Sequence, residues 1–352
     1  MGKSTIFNAL TEAGAQSENY PFCTIDPNVG IVPVPDARLK IIEQHVPAKQ
    51  LIPATVEIVD IAGLVRGASE GEGLGNKFLA NIREVSAILH VVRCFDDDNI
   101  THVEGSVDPI RDVEIIETEL MLADMQTVEK RLDKARRAAK SQDKEEIARV
   151  KTLEKIMAGL EEGKSVRSLD LNETDHLMVK DCHLLTIKPV LFVANVRDDD
   201  LDGKDPHVQK LRELAESQNS SVVTVCGSIE AELVEMEEAE QREMLEGLGI
   251  EEPALNVLIR ATYDLLGLQA FFTAGEQEIR AWTIPVGATA PQAAGVIHTD
   301  FEKRFIRAEV YTIEDLKTYN DEAGIKAAGK LRLEGKQYVV VDGDIMHIRH
   351  GA

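Results

Sequence analysis

The chain has 352 residues, 43% of them hydrophobic and 29% charged, which agrees with a folded protein of two or three modules with sizeable cores. A formal charge of −23 argues against nonspecific adhesion of the whole molecule to nucleic acid, because phosphate contact needs clustered Lys and Arg. No apolar run approaches the roughly 18 residues of a membrane span and no signal-peptide pattern opens the chain, so a cytoplasmic protein with no membrane partner is expected. Cys23, Cys94, Cys182 and Cys226 form no CxxC pair, and buried thiols are expected rather than a zinc site or disulfides.

The chain opens MGKSTIFNAL, and Gly2, Lys3, Ser4 and Thr5 match the end of the phosphate loop GxxxxGK[ST], with a helix following. In such a loop, backbone N–H groups at the helix start meet the phosphates, the Lys adds charge near the β and γ groups, and the Ser ligates Mg²⁺. Alone, four residues are weak evidence. Next comes the loop NYPFCTIDPNVG, where Thr24 is a candidate second Mg²⁺ ligand. LIPATVEIVDIAG then reads as a strand entering a turn. Its Asp60 and Gly63 form DxxG, the place of a Mg²⁺-linked carboxylate and a γ-phosphate-sensing glycine. GASEGEGLGNKFLANIRE, residues 67–84, has four glycines within nine positions and reads as a mobile switch leading to Asn76 and Lys77 at a helix start; a plain flexible loop is the alternative.

AILHVVRCF and PVLFVANV have the length of buried parallel strands, and the alternation with helical patterns implies an α/β fold with a parallel sheet. Between them, Leu122, Met125, Val128, Leu132, then Ile147, Val150, Met157 and Leu160 recur at helical spacing. The polar break Ser141-Gln142-Asp143, with Asp143 placed to cap the second stretch, predicts an antiparallel helical hairpin. It serves either as packing or as a partner-binding arm. Asn195, Val196 and Asp198 follow the strand PVLFVA at the place of the NKxD guanine reader, with Val196 where Lys would pack over the base. Cys226, Gly227 and Ser228 follow SVVTV, where a backbone contact to the base belongs.

From Ile229 to Glu252 there are ten Glu and one Arg, which predicts a solvated helix face. From Arg280 to Arg349 acidic and basic residues number ten each, so this C-terminal part is the better candidate for touching RNA. It reads as a small β-grasp-like α+β domain: AWTIP as a strand, a turn, a helix start, a second strand, and a final hairpin of two strands joined at Asp342-Gly343.

Taken together, NYPFCTIDPN, DIAGLVRGASEGEGLGNKFLANIRE, VANV and AWTIPVGATAPQAAGVIHTDFEKRFIRAEV resemble the YchF-type, Obg-like ATPase family of P-loop proteins along essentially the whole chain. The resemblance implies a GTPase-like parallel-sheet domain over 1–111 and 185–266, an inserted helical coiled-coil arm over 112–184, and a TGS domain over 267–350. It implies hydrolysis of ATP, often alongside GTP, and binding to ribosomes or their subunits in translation or stress regulation, with rRNA contacts through the TGS domain and arm and no DNA partner. Carried over, Gly2, Lys3, Ser4 and Thr5 bind phosphates, Ser4 and Thr24 ligate Mg²⁺ with Asp60 acting through water, and Asp60 and Gly63 form the switch. The altered NKxD position is associated with adenine acceptance. Leu64 stands where Ras-like proteins place the water-orienting Gln, so no catalytic residue is assigned. Asp198, where the family more often has Glu, keeps a strict GTPase open as an alternative, as does a ribosome-associated binding protein with little hydrolysis. The first glycine of GxxxxGK would lie upstream of Met1; the expectation is a truncated family member with weakened nucleotide binding.

Overall fold

In the computed structural model, residues 2–15, 29–61, 74–97 and 105–351 are described. Two compact units divide the chain, one built mainly on Val59–Leu255 and the other on Gly30–Ile58 with Asn256–Ala352.

Helix α1 (Lys3–Ala15) is followed by β1 (Val29–Pro33), α2 (Arg38–His45), β2 (Leu51–Ile52), β3 (Thr55–Val59), α3 (Leu74–Glu84) and β4 (Ile88–Arg93). The run expected as one strand, LIPATVEIV, is two: Pro53 cannot donate to a ladder, so the strand breaks there. β3 pairs with β1 in a two-stranded sheet.

The inserted hairpin forms as its pattern predicts. α4 (Pro109–Ala138) starts at Asp108, whose carboxylate accepts the Ile110 and Arg111 N–H groups, with Pro109 at the first helical position. The chain reverses through Gln142, in the left-handed region at φ +63°, and Asp143 caps α5 (Lys144–Glu161) by accepting the Glu145 N–H. Their seam is Val128, Leu132 and Ala135 against Leu153, Ile156 and Leu160. Leu122 and Ile147, expected on that seam, are instead 39% exposed. Helical spacing fixes a stripe, and these two positions fall at its margin. Leu153 and Ile156 hold the centre in their place. At its base, Asp124 is 1% exposed and accepts the Leu185 and Thr186 N–H groups at 2.8 Å and the Thr186 hydroxyl at 2.7 Å. Burial pushes this carboxyl up, against the pull of those three hydrogen bonds.

After α6 (Glu173–Val179) come β5 (Val190–Asn195), α7 (Pro206–Ser217), β6 (Ser221–Val225), α8 (Gly227–Glu235), α9 (Glu238–Leu248) and α10 (Ala254–Leu265). β4, β5 and β6 make a parallel three-stranded sheet, and every residue of β5 is buried, as a strand covered on both faces requires. Its core joins Val92, Val190, Phe192 and Ala194 to Val208, Leu211, Ile229 and Leu233. The acidic run after Ile229 is not wholly solvated. Glu230 is 2% exposed and accepts the Ala254 N–H at 2.7 Å at the start of α10, using a carboxylate to satisfy a helix N-terminus.

The C-terminal unit continues with β7 (Leu268–Ala274), β8 (Ile279–Pro285), α11 (Ala290–Ile297), α12 (Thr299–Lys303), β9 (Phe305–Tyr311), α13 (Ile313–Tyr319), α14 (Glu322–Ala327), β10 (Arg332–Glu334) and β11 (Ile345–His350). They form a mixed six-stranded sheet in the order β10-β9-β11-β7-β8-β2. The hairpin expected at Asp342-Gly343 does not form. β10 pairs with β9, and the segment before Asp342 runs to the start of α11, where the Ala290 N–H donates to the Tyr338 carbonyl. Two carboxylates explain the departure. Asp342 accepts the Ala270 N–H, while Asp344, 2% exposed, accepts the Val341 N–H, the Tyr338 hydroxyl and the Arg332 guanidinium. Among the described residues no helix is long and apolar enough to cross a membrane.

Candidate functional site

The parallel register sets Arg93 beside Asn195 and Asn195 beside Val225, so the chain leaves all three strands at the same edge of the sheet. That edge, at the carboxyl ends of the strands, is where open α/β sheets place ligands. Asn195 is 5% exposed there, and its Oδ1 accepts the Gly227 N–H at 3.1 Å. Gly2 closes on the same side chain. A Cβ at Gly2 would lie 2.2 Å from Asn195 Nδ2, and the residue sits at φ +81°, so glycine is required twice over. A Cβ at Gly227 would lie 3.4 Å from both Asn195 Oδ1 and Ile6 Cγ1. The GKST segment and the segments at Asn195 and Gly227 are thus one cluster.

α1 is held by buried Ile6, Ala9 and Leu10, and its first turn opens with the Ile6 N–H donating to the Gly2 carbonyl at 2.9 Å. This leaves a helix N-terminus at the strand ends, a natural seat for an anion. Ser4 and Thr5 are exposed, and the Lys3 ammonium is paired with the carboxylate of Asp60, which follows β3. The Ser4 hydroxyl and Asp60 are hard oxygen donors. Among the described residues no cluster of three or more His, Cys, Asp or Glu could hold a metal by itself. Few protein oxygens completed by phosphates and water is the Mg²⁺ mode, so the donor set fits that ion. Thr24, Gly63 and Leu64 lie outside the described residues, as do most of 67–84 and the Asn76 side chain; Lys77 is exposed in α3.

Val196 is 3% exposed and its side chain belongs to the core beneath the site, so only its backbone faces the strand-end loops. Asp198 is exposed on the loop after β5. Cys226, 3% exposed, precedes α8 with its thiol 3.3 Å from the Ser228 hydroxyl, and Ser228 is exposed. Cys94 and Cys182 are also buried free thiols; burial first, then Asp205, Asp200 and Asp112, pushes Cys94 up to about 12. Sequence reasoning missed Arg93. It is 2% exposed, donates from Nε to the Phe95 carbonyl at 2.9 Å, and lies over the Phe95 ring, ordering the loop after β4. Its signal was a cation ending the apolar run ILHVVR.

Residues 1–132 match the 50S ribosome-binding GTPase family, and residues 268–351 match the YchF GTPase C-terminal family, described as a protein of unknown function (DUF933). Over 349 residues the chain is 53% identical to the Ribosome-binding ATPase YchF of Pasteurella multocida, covering 99% of this chain and 96% of that protein. It is 55% identical over 351 residues to the Ribosome-binding ATPase YchF of Bacillus subtilis, with the same coverage. The solved structure of the Schizosaccharomyces pombe YchF GTPase matches with a TM-score of 0.90 at 39% identity, covering 99% of this chain and 95% of that one. A parallel-sheet GTPase fold, a strand-end cluster built on GKST, and identity above one half over the whole length agree: the chain belongs to the YchF family.

Proposed function

We propose that the chain is a cytoplasmic, ribosome-binding nucleoside triphosphatase that hydrolyses ATP and also accepts GTP. The observation that carries the reading is the closure of Gly2 and Gly227 on Asn195 beside the Lys3–Asp60 pair, which unites phosphate-binding and base-reading segments. The relatives named above as ribosome-binding ATPases support it. Residues 1–111 with 185–266 form the nucleotide domain, 112–184 the arm and 267–350 the TGS domain.

In this reading the N–H groups of Gly2 to Thr5 and the Lys3 ammonium hold the phosphates. Ser4, Thr24 and, through water, Asp60 hold Mg²⁺, which when bound offsets phosphate charge. Arrival of the triphosphate gives Lys3 a stronger anion than Asp60 and frees that carboxylate. Gly63 senses the γ-phosphate. At the base, Asn195 fixes the loops, and Cys226, Gly227 and Ser228 offer backbone contacts. With the Val196 side chain in the core no Lys covers the ring, which supports adenine acceptance, while exposed Asp198 suits a guanine edge.

The arm and TGS domain supply the ribosomal contacts, including rRNA. In a chain of charge −23, residues 130–151 at the arm's tip carry nine basic and four acidic side chains. A local excess of this kind suits a phosphodiester backbone. Competition of ATP and GTP for one labelled nucleotide, with turnover of each, tests the enzyme half: ATP displaces at least as well as GTP and is hydrolysed. GTP-only displacement indicates a strict GTPase, and binding without turnover a ribosome-associated binding protein. Cosedimentation with ribosomes at rising salt tests the other half, and its absence at low salt contradicts it.

A further inference from the structure

A cleft of about 470 Å³ opens in the C-terminal unit between α12 and the end of β11, lined by His298, Asp300, Phe301, Arg304 and His350. We propose that it binds an unpaired base of single-stranded RNA, an inference that rests on the ribosome-binding reading above and names the contact made by this unit.

The rings argue for a base. Phe301 and His350 stack with centroids 4.1 Å apart and planes 19° from parallel, and His298 flanks Phe301 at 5.8 Å. A third flat ring laid into the cleft continues an existing stack, the sequence-tolerant way proteins hold unpaired bases. Each histidine makes one hydrogen bond that favours one tautomer of its neutral ring. His298 Nδ1 accepts the Asp300 N–H at 3.1 Å, so in the neutral ring the proton is on Nε2. His350 Nδ1 lies 3.0 Å from the Gly351 carbonyl, which only accepts, so that nitrogen carries the proton and Nε2 is an acceptor. The two lining rings therefore carry between them one donor and one acceptor Nε2, the mixed kind of group a nucleobase edge pairs with. Asp300, the acidic lining group, suits an exocyclic amino group, which cytosine has and uracil lacks.

The charge argues for a nucleic acid strand rather than a peptide of unspecified kind. Arg304 lines the cleft, is exposed and makes no ion pair among the described residues; Lys303 beside it in the chain is exposed too, next to exposed Glu302. The Arg304 guanidinium is the cation available to a phosphate next to a seated base.

The test uses the full chain and a fluorescent cytidine octaribonucleotide, chosen because adenine and guanine belong to the proposed nucleotide site. Saturable binding is expected. It weakens about tenfold in Phe301→Leu, which keeps the apolar bulk, and in His350→Ala, at an exposed position where folding is not at stake. Phe301→Trp retains it, a uridine octamer binds more weakly, and Arg304→Ala lowers the salt dependence. Octamer affinity unchanged in both ring variants overturns the proposal. So does equal competition by an RNA duplex, which would mean phosphate contact alone, or by cytidine monophosphate, which would mean a free-nucleotide site. Ribosome cosedimentation of the unaltered chain is read separately: its failure counts against the ribosome reading, whereas the octamer decides the cleft.

Discussion

Asp60 and Asp344 are the same residue type in the two units, held in opposite ways. Asp60, with its side chain 20% exposed, meets the Lys3 ammonium, itself 31% exposed, at the end of a strand. Asp344 is 2% exposed and fixed by a backbone N–H, a phenol and a guanidinium; burial, and then this carboxylate, pushes the Tyr338 phenol up to about 12. A partly exposed ion pair is a weak tie that a ligand can replace. A buried carboxylate with three partners is scaffold, because removing it takes the acceptor from the Val341 N–H and the Tyr338 hydroxyl and leaves Arg332 only its Glu334 and Tyr338 contacts. The Lys3–Asp60 charge is thus exchangeable, whereas Asp344, like the buried Asp124 and Glu230 of the parallel-sheet unit, uses its charge to hold backbone.

The largest expected effect breaks the scaffold side of this contrast. Asp344→Ala should destabilise the C-terminal unit by about 3 kcal/mol, measured by urea unfolding, while ATP binding stays within twofold. A change smaller than about 1 kcal/mol would mean that Asp344 is as replaceable as an exposed pair. Asn195→Ala comes next and acts on both sides. It leaves the buried Gly227 N–H without its Oδ1 acceptor, at about 1–2 kcal/mol, and weakens nucleotide binding about tenfold because the loops after β5 and β6 lose their common tie to Gly2. Unaltered nucleotide affinity in a folded variant would separate Asn195 from the site.

The smallest effect is a pH dependence at Asp124. Its folded carboxyl is pushed above its unfolded value near 3.9, so the native state keeps the proton longer. The contribution is present below the unfolded value and is lost as pH rises through the folded one. Urea midpoints from pH 3.5 to 8 for the unaltered chain and Asp124→Asn should therefore show the advantage of Asp over Asn shrinking as pH rises. An advantage that grows with pH would reverse the sign.

What could be read from residues alone divides between contacts made locally in the chain and contacts that the fold brings together. β5 was legible because a parallel strand covered on both faces is a continuous apolar run, and β4 and β6 because short β-branched runs flank it in the chain. Once three such strands run parallel, Asn195 and Cys226 must emerge at one edge. The α4–α5 reversal was legible because Asp143 caps locally. Glu230, Asp342 and Asp344 were not, since each binds a backbone N–H or side chain whose position only the fold decides. Hence an acidic run read as solvated hides a helix cap, and a sound hairpin signal is overruled by two carboxylates. Arg93 escaped for a similar reason: its partners are carbonyls of the loop it shapes.

In the proposed site GKST, Asp60 and Asn195 bind one triphosphate, and Lys3 exchanges Asp60 for phosphate. Titration of labelled ATP with Mg²⁺ into the unaltered chain and Lys3→Ala tests it most directly. Loss of the charge-assisted contact should weaken binding on the order of a hundredfold while the unfolding midpoint barely moves, because the Lys3–Asp60 pair is partly exposed. Equal ATP affinity in the two proteins would contradict it.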